Sequence, residues 1–475
     1  MATVSRRGKA REKHTPSRRD RFEEEYVLWK ERWAKGKALR ERVPREKHAG
    51  WTPPKNRPDP IDLIIKSNEN SLPELVSIRH GRMLTSSFAF LRGSANVMAW
   101  DLSRTPRTGI RVQACGDCHL MNFGAFATPE RRLIFDVNDF DETLPAPWEW
   151  DVKRLAASFA VAARYIGLRR AEARRASLAA VRSYRKWMDA YAPMRVLDVW
   201  YDNIDLDQLV PTLPSTRWKK EWRTQIAKAR AHSVAEHDFP KLVVEKSGKP
   251  RIRDNPPLIY HARGVNSRAF HESVTAAHFA YLQTLQPHHR VIIDRYKLRD
   301  IAMKVVGVGS VGTFCAVALL MASPDDPLFL QLKQANASVL EPYAGKSEYE
   351  NHGERVVTGQ RFMQAASDIF LGWSYSPRIG HDFYVRQLRD MKISVTLETM
   401  DYKTLRYYAK LCGHVLARAH ARSGDAALIA GYMGSSAVFD EAVADFAIDY
   451  SAQTDRDHKA LADAVRDGRI QAVKE

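Results

Sequence analysis

The chain has 475 residues, 44% of them hydrophobic and 27% charged. That is enough apolar material for a large core, so a disordered or fibrous protein is excluded over most of the length, and two or three domains or one large two-lobed unit are expected. Lys and Arg number 74 against 56 Asp and Glu, a net charge of +18, which favours anionic partners and says nothing of fold.

The charge is uneven. Residues 1–60 hold 18 Lys/Arg and 9 Asp/Glu, so half of the excess lies in the first eighth of the chain. A basic N-terminal extension accounts for it, and nucleic acid could bind there, although no reader motif appears and that partner is not favoured. Four cysteines are too few for a disulfide framework. No apolar run reaches the roughly 18–20 residues of a spanning helix. Ser5-Arg6-Arg7 hints at a twin-arginine signal, but no apolar segment follows it. A cytoplasmic protein without membrane contact is expected.

In chain order, residues 1–60 read as a charged, partly helical extension, with Trp29 and Trp33 on one helical stripe and a proline-rich linker, WTPPKNRPDP, at its end. Residues 61–294 read as a helical lobe that carries short strands around 109–142 and a long helix over 151–192. Residues 295–390 read as a strand-rich lobe. RDIAMKVVGVG, GTFCAVALLMA and DPLFLQLKQA form three strands there, HGERVVTGQRFMQAASDIFL (352–371) a helix, and DFYVRQLRD a further strand. Residues 391–475 return to the helical lobe, with a helix over 404–424 that ends at Gly424 and an amphipathic tail from 436. There is no internal repeat.

The chemistry concentrates in ACGDCHLMNFGAFATPERRLIFDVNDFDE (114–142). Asp117 and Asn122 are five apart in a loop, and RLIFD reads as a strand that delivers Asp136 at its end. A carboxylate, an amide and a second carboxylate suit Mg²⁺-dependent phosphoryl transfer. Asp117 would orient the attacking hydroxyl, and Asn122 and Asp136 would offer hard oxygens to the ion. Asp139 and Asp141 are close enough in sequence to be second ligands. On this reading Asp136→Ala abolishes turnover in a protein that stays folded. Cys115-Gly-Asp-Cys118-His119 also matches the C-x-x-C-H haem attachment pattern, and the same residues could offer zinc ligands without an evident fourth group; both readings rank below phosphotransfer.

Downstream, Val306-Gly307-Val-Gly309-Ser310-Val-Gly312 holds G-x-G-x-x-G between two predicted strands. A dinucleotide fold needs strand then helix, so a glycine hairpin over phosphates is favoured. Lys333 then lies amid apolar residues of the next strand, which is costly unless its ammonium reaches a partner. Nucleotide phosphates and Glu354 of the following helix are the expected partners, with Glu341 as the second choice. Residues Val385–Leu388 are placed at the adenine. Arg92, in the apolar run SFAFLRGSA, suits either an anion or a buried ion pair.

GDCHLMN resembles the GDxHxxN loop of aminoglycoside and choline kinases, with Cys115 where those families usually have His. Asp151 resembles the carboxylate that opens a buried helix after their metal loop. The helix that carries His420 and Asp425 resembles the one that precedes the catalytic loop, so those two residues read as structural. The glycine loop follows the catalytic loop here, which implies circular permutation. The runs FAFLRGSANVMAWDL, CGDCHLMNFGAF, LIFDVNDFDETLPAPWEWDVKRLAAS, FLQLKQANASVLEPY, GQRFMQAASDIFLGW and LARAHARSGD look like the bacterial family called domain of unknown function 2252, over about residues 60–465. The expectation is therefore an α+β, two-lobed, permuted kinase-like fold with a small antiparallel-sheet lobe and a large helical lobe. It would be a phosphotransferase that uses ATP and Mg²⁺ on a small-molecule hydroxyl. Gly307, Gly309, Ser310, Gly312 and Lys333 would bind nucleotide, Asn122, Asp136 and Asp139 metal, and Asp117, Lys333 and Glu354 would form the catalytic set. An inactive member of the fold, an adenylyl-transferring one and a basic nucleic-acid-binding protein are the alternatives.

Overall fold

The computed structural model describes residues 27–231, 239–246, 248–261, 268–305, 307–308, 311–377, 379–388, 393 and 395–473. The basic run before Val27 lies outside them, as do Gly309 and Ser310. The fold is mixed α+β, with a helical body and one large antiparallel sheet.

The first described helix, α1 (Trp29–Arg42), corrects the boundary at residue 60. It packs backbone to backbone on α12 (Ala426–Met433): a Cβ on Gly36 would lie 2.0 Å from the Leu428 carbonyl, and one on Gly431 2.0 Å from that of Trp33. Arg57 then reaches Asp101 and Asp457 with paired hydrogen bonds of 2.7–2.9 Å, so the proline-rich segment is fastened to the body. From Trp29 onward the segment packs on the helical body, with Val43 buried in the core and Trp29, Trp33, Leu39 and Trp51 partly buried against it.

Helices α2 (Pro60–Ser67), α3 (Pro73–Leu84), α4 (Ser87–Gly93) and α5 (Ala95–Ser103) follow. Two small two-stranded sheets come next. Strand β1 (Arg111–Ala114) pairs with β4 (Leu144–Pro147), and β2 (Phe123–Ala127) with β3 (Leu133–Val137). The helix expected over 151–192 is two: α6 (Trp148–Tyr165) and α7 (Arg170–Tyr191). Gly167 between them takes φ +80°, a left-handed conformation that stops the first helix. Between residues 195 and 260 lie α8 (Thr216–Ala231) and the hairpin of β5 (Val243–Lys246) and β6 (Lys249–Ile252).

The large sheet has the order β11-β12-β10-β9-β8-β7. It contains the three predicted strands as β8 (Lys297–Lys304), β9 (Cys315–Ser323) and β10 (Asp326–Ala335). The first two strands of the order are β11 (Gly372–Ser376), at one edge, and β12 (His381–Gln387), and the strand at the other edge is β7 (Ile259–Tyr260). The strand-rich unit therefore reaches back beyond residue 295, and α9 (Arg268–Gln283) covers one of its faces. Leu328 and Leu330 pack there with Tyr281, while Phe329 packs on the opposite face with Val317, Leu319 and Leu388, under Val243 and Ile252 of the β5–β6 hairpin. The period of two places Gln331 and Lys333 on the Phe329 face.

Helix α10 (His352–Met363) ends eight residues earlier than expected. The chain turns away at Gln364, whose side chain bonds the Val137 carbonyl at 2.6 Å, while Ala365 N–H bonds Asp136 at 2.8 Å. Helix α11 (Tyr402–Ser423) and α13 (Val438–Arg466) complete the body. Gly424 follows α11 with φ −136°, in extended backbone, and its missing side chain is a matter of space: a Cβ would sit 2.6 Å from Val112 Cγ1.

One lysine in α6 is out of place. Lys153 is 0% exposed, and neither its Nζ nor Glu149 Oε2, one turn earlier, has a hydrogen-bond partner. Burial pushes its ammonium down to about 7, with Glu149 opposing the shift. The folded value lies below the unfolded one, so the cost is fully present below about pH 7 and disappears as pH rises through the unfolded value near 10.4. Lys153→Met is therefore expected to raise stability by about 1–3 kcal/mol at pH 7. In denaturant titrations the advantage of the variant should shrink steadily by pH 9.5.

Candidate functional site

The GDCHLMN turn is held from below. Asp151, in the first turn of α6, accepts the backbone N–H groups of Cys115 (2.6 Å) and Gly116 (3.0 Å), and His420 Nε2 lies 3.2 Å from it. His420 Nδ1 is in turn 2.9 Å from the Tyr184 hydroxyl. Both His420 and Asp151 are thus structural supports of the loop, and Asp425 caps α12 through two backbone N–H groups. Cys115 Sγ, Cys118 Sγ and an Asp151 oxygen lie within 4.8 Å of one another, but His119 is not among them. It sits instead 3.8 Å from Asp117. The zinc expectation therefore lacks its histidine, and the carboxylate left in its place is already committed to two backbone donors.

Asp117 is fixed by Arg154, whose Nε donates at 2.6 Å. Asn122 donates its amide N–H to the Asp117 carbonyl at 2.8 Å, which leaves its side-chain oxygen as a hard donor. The Asn122 carbonyl accepts Asn138 N–H at 2.8 Å, which joins this loop to the next one, Asn138–Glu142.

The two stretches that sequence reading kept nearly 200 residues apart meet in that second loop. Lys333, 3% exposed, bonds Asp141 Oδ2 at 2.6 Å, and Tyr384 OH bonds Asp141 Oδ1 at 2.6 Å. Tyr384 is the cross-strand neighbour of Lys333, and Arg386 that of Gln331, which it bonds at 3.1 Å. Arg386 and Lys333 both lie over the Tyr384 ring, at 5.8 and 5.4 Å. Asp141 holds the Lys333 ammonium charged and well above its usual range against burial. Asp139 is raised by burial, then by the nearby Asp141, and Asp117 is raised by burial, with Arg154 opposing. Crowded carboxylates of this kind are what a bound cation relieves.

Two expected residues take other places. Asp136, 1% exposed, gives Oδ1 to Arg418 (2.6 Å) and to Val137 N–H (2.8 Å), and Oδ2 to Ala365 N–H (2.8 Å). Both oxygens are in use, so it is a structural anion and not an open ligand. Its strand is buried along its whole length, and an interior carboxylate needs a cation. Glu354 forms no ion pair with Lys333. It lies in the first turn of α10, where its N–H is capped by Asn351 at 3.1 Å. The next residue, Arg355, turns inward and donates to the carbonyls of Thr143 (2.6 Å), Asp141 (2.8 Å) and Asn336 (2.8 Å). Glu341 is likewise away from Lys333, 3.9 Å from His352.

Of the glycine loop, Gly307 and Gly312 are described. The Gly307 carbonyl accepts from Arg82 at 2.6 Å and that of Gly312 from Leu72 N–H at 2.6 Å, so the loop is tied to α3 and the turn before it. Gly312 has φ +104°, which only glycine adopts without strain. At the proposed adenine segment, Leu388 N–H bonds the Phe329 carbonyl at 2.9 Å, and residues 389–392 lie outside the described chain.

Sequence reading missed Arg154, Arg355, Tyr384, Arg386 and Arg418. Tyr384 and Arg386 were within reach: they alternate along a predicted strand, as Gln331 and Lys333 do on theirs. Arg154, Arg355 and Arg418 were not, since each finds its partner through tertiary contact.

These features define a mixed α+β protein in which a loop rich in carboxylates meets a lysine-bearing sheet. The chain belongs to the family of uncharacterised proteins conserved in bacteria called DUF2252, which matches residues 71–464. No curated protein and no solved structure matches it. Among the described residues no helix is long and apolar enough to cross a membrane.

Proposed function

We propose that the protein is a Mg-ATP-dependent phosphotransferase of kinase-like, circularly permuted architecture that acts on a small-molecule hydroxyl. The 2.6 Å ion pair between Lys333 and Asp141 carries this reading. It joins the strand after the glycine hairpin to the loop after GDCHLMN, the two stretches that a nucleotide site needs side by side. The permutation has its own support at the other end of the loop. Ser423, the last residue of α11, accepts Gln113 N–H at 3.1 Å, near the end of the strand that leads into GDCHLMN. A helix that would precede the catalytic loop in the chain here precedes it in space.

Each side chain then has a task. Asp117, fixed by Arg154, orients the acceptor hydroxyl and takes its proton. Lys333 holds the nucleotide phosphates, with Asp141, Tyr384 and Arg386 keeping it in place. Gly307 and Gly312 let the hairpin backbone approach those phosphates. Asn122 and Asp139 fit Mg²⁺, because they offer hard oxygens in a group of crowded carboxylates. The ion, when bound, neutralises phosphate charge. Positioning supplies most of the acceleration.

The test is calorimetric titration of the full chain with Mg·ATP, together with product analysis. The wild type should bind and release ADP, and Lys333→Met, which also unpairs Asp141 and so lowers the midpoint of unfolding, should weaken binding by roughly tenfold or more when titrated at a temperature where the variant is still folded. Release of pyrophosphate would instead identify adenylyl transfer, and binding without release an inactive relative. Absence of nucleotide binding by the wild type would end the reading.

A further inference from the structure

Arg92 lies on α4, in the helical body, far in sequence from both clusters. The buried arginines Arg154, Arg418, Arg185 and Arg355 have obvious partners in Asp117, Asp136, Asp440 and three carbonyls, whereas Arg92 is half-buried. Arg92 makes no hydrogen bond or ion pair with any described residue, and its Nε is buried without a partner. Its guanidinium lies 6.0 Å from the Phe88 ring, which stacks on Tyr165 at 5.9 Å, so the side chain rests on an aromatic wall. Guanidinium does not lose its proton in proteins, so this is a standing, poorly solvated positive charge.

Its position is fixed by Arg154. That guanidinium bonds Asp117 Oδ1 through Nε at 2.6 Å and the carbonyl of Leu91, the residue before Arg92, through Nη2 at 3.0 Å. One side chain therefore ties the backbone at Arg92 to the catalytic loop. The carboxylates that act on Arg92 are Asp117 first, then Asp139 and Glu398. Asp117 is committed to Arg154, and Asp139 belongs to the proposed cation site.

We propose that Arg92 binds the terminal phosphate of the nucleotide. The inference rests on the phosphotransferase reading and adds the residue that tells a triphosphate from a diphosphate. Between Asp117, which positions the acceptor, and Asp139, which positions the ion, the phosphoryl group in transit is the anion common to both. An unpaired guanidinium one residue from the Leu91 carbonyl, which Arg154 ties to Asp117, and within electrostatic reach of both carboxylates, is placed to take its oxygens as the charge moves. Lys333, on the sheet side by Asp141, serves the phosphates nearer the base.

The experiment compares two ligands on the full chain by calorimetry: Mg²⁺ with the non-hydrolysable β,γ-imido analogue of ATP, and Mg²⁺ with ADP. Arg92→Ala and Arg92→Met should weaken the triphosphate analogue by about 10- to 100-fold and leave ADP within about twofold, with Arg92→Lys between them and the wild type. An unchanged ratio between the two ligands would overturn the proposal, as would equal loss of both, which marks a structural role. A wild type that binds neither ligand would remove the nucleotide site itself. A wild type that binds both while the ratio stays fixed removes Arg92 alone.

Discussion

Asp136→Ala is expected to destabilise the protein by about 3–5 kcal/mol, read as a lower midpoint in denaturant titration. The substitution removes one carboxylate and strands three donors at once. Arg418, itself 1% exposed, keeps its charge and loses the one carboxylate that it bonds among the described residues. The N–H groups of Val137 and Ala365 lose their acceptor in a region where water does not replace it. The residue before Ala365, Gln364, also bonds the Val137 carbonyl, so the segment after α10 loosens together with the end of β3. Asp136→Ala combined with Arg418→Met should recover a substantial part of the loss, because the unpaired charge goes with its partner. Any fall in turnover in the single variant then follows from unfolding. If the single variant keeps the wild-type midpoint, Asp136 is not the structural anion described above.

The choice between Asp136 and its neighbours shows where a sequence stops being readable. Spacing from Asn122 favours Asp136, and spacing is a property of the chain alone. What decides is the side of β3 on which the carboxylate falls and what meets it there. Its cation is 282 residues away, on a helix whose pattern shows only an apolar face. The same holds for Lys333. A lysine among apolar residues announces that it needs a partner, and the strand was correctly bounded because a short apolar run and a Pro-Asp-Asp turn are local signals. The partner's identity depends on which helix or loop packs against the sheet. One residue of rotation on α10 puts Arg355 rather than Glu354 toward the site, and the vacated role passes to Asp141. Local punctuation was also legible but underused: Gly167 breaks the long helix, and the close approach of α1 to α12 was foreshadowed by Trp29 and Trp33 on one stripe. Nothing local could show that α11 ends beside Gln113, because that contact joins residues 310 positions apart.

Asp139→Asn separates a functional carboxylate from a structural one. Asp139 has one weak local bond, from Asp141 N–H at 3.3 Å, and it is crowded by Asp141 and Asp117. Asparagine keeps the shape and that acceptor while it removes one of the like charges. Folding stability should therefore hold or rise slightly, the opposite of the Asp136 result. On the proposed phosphotransferase reading, Mg²⁺-dependent turnover should fall by about 10²–10³-fold, since a neutral amide in place of a carboxylate would weaken the proposed ion site where phosphate charge is to be neutralised. The defect should ease as Mg²⁺ is raised, which loss of a proton acceptor such as Asp117 would not allow. Steady-state rates across a Mg²⁺ titration, beside denaturant midpoints, give both readings on one sample. A variant that loses stability and activity in parallel, with no response to added Mg²⁺, would remove Asp139 from the metal site.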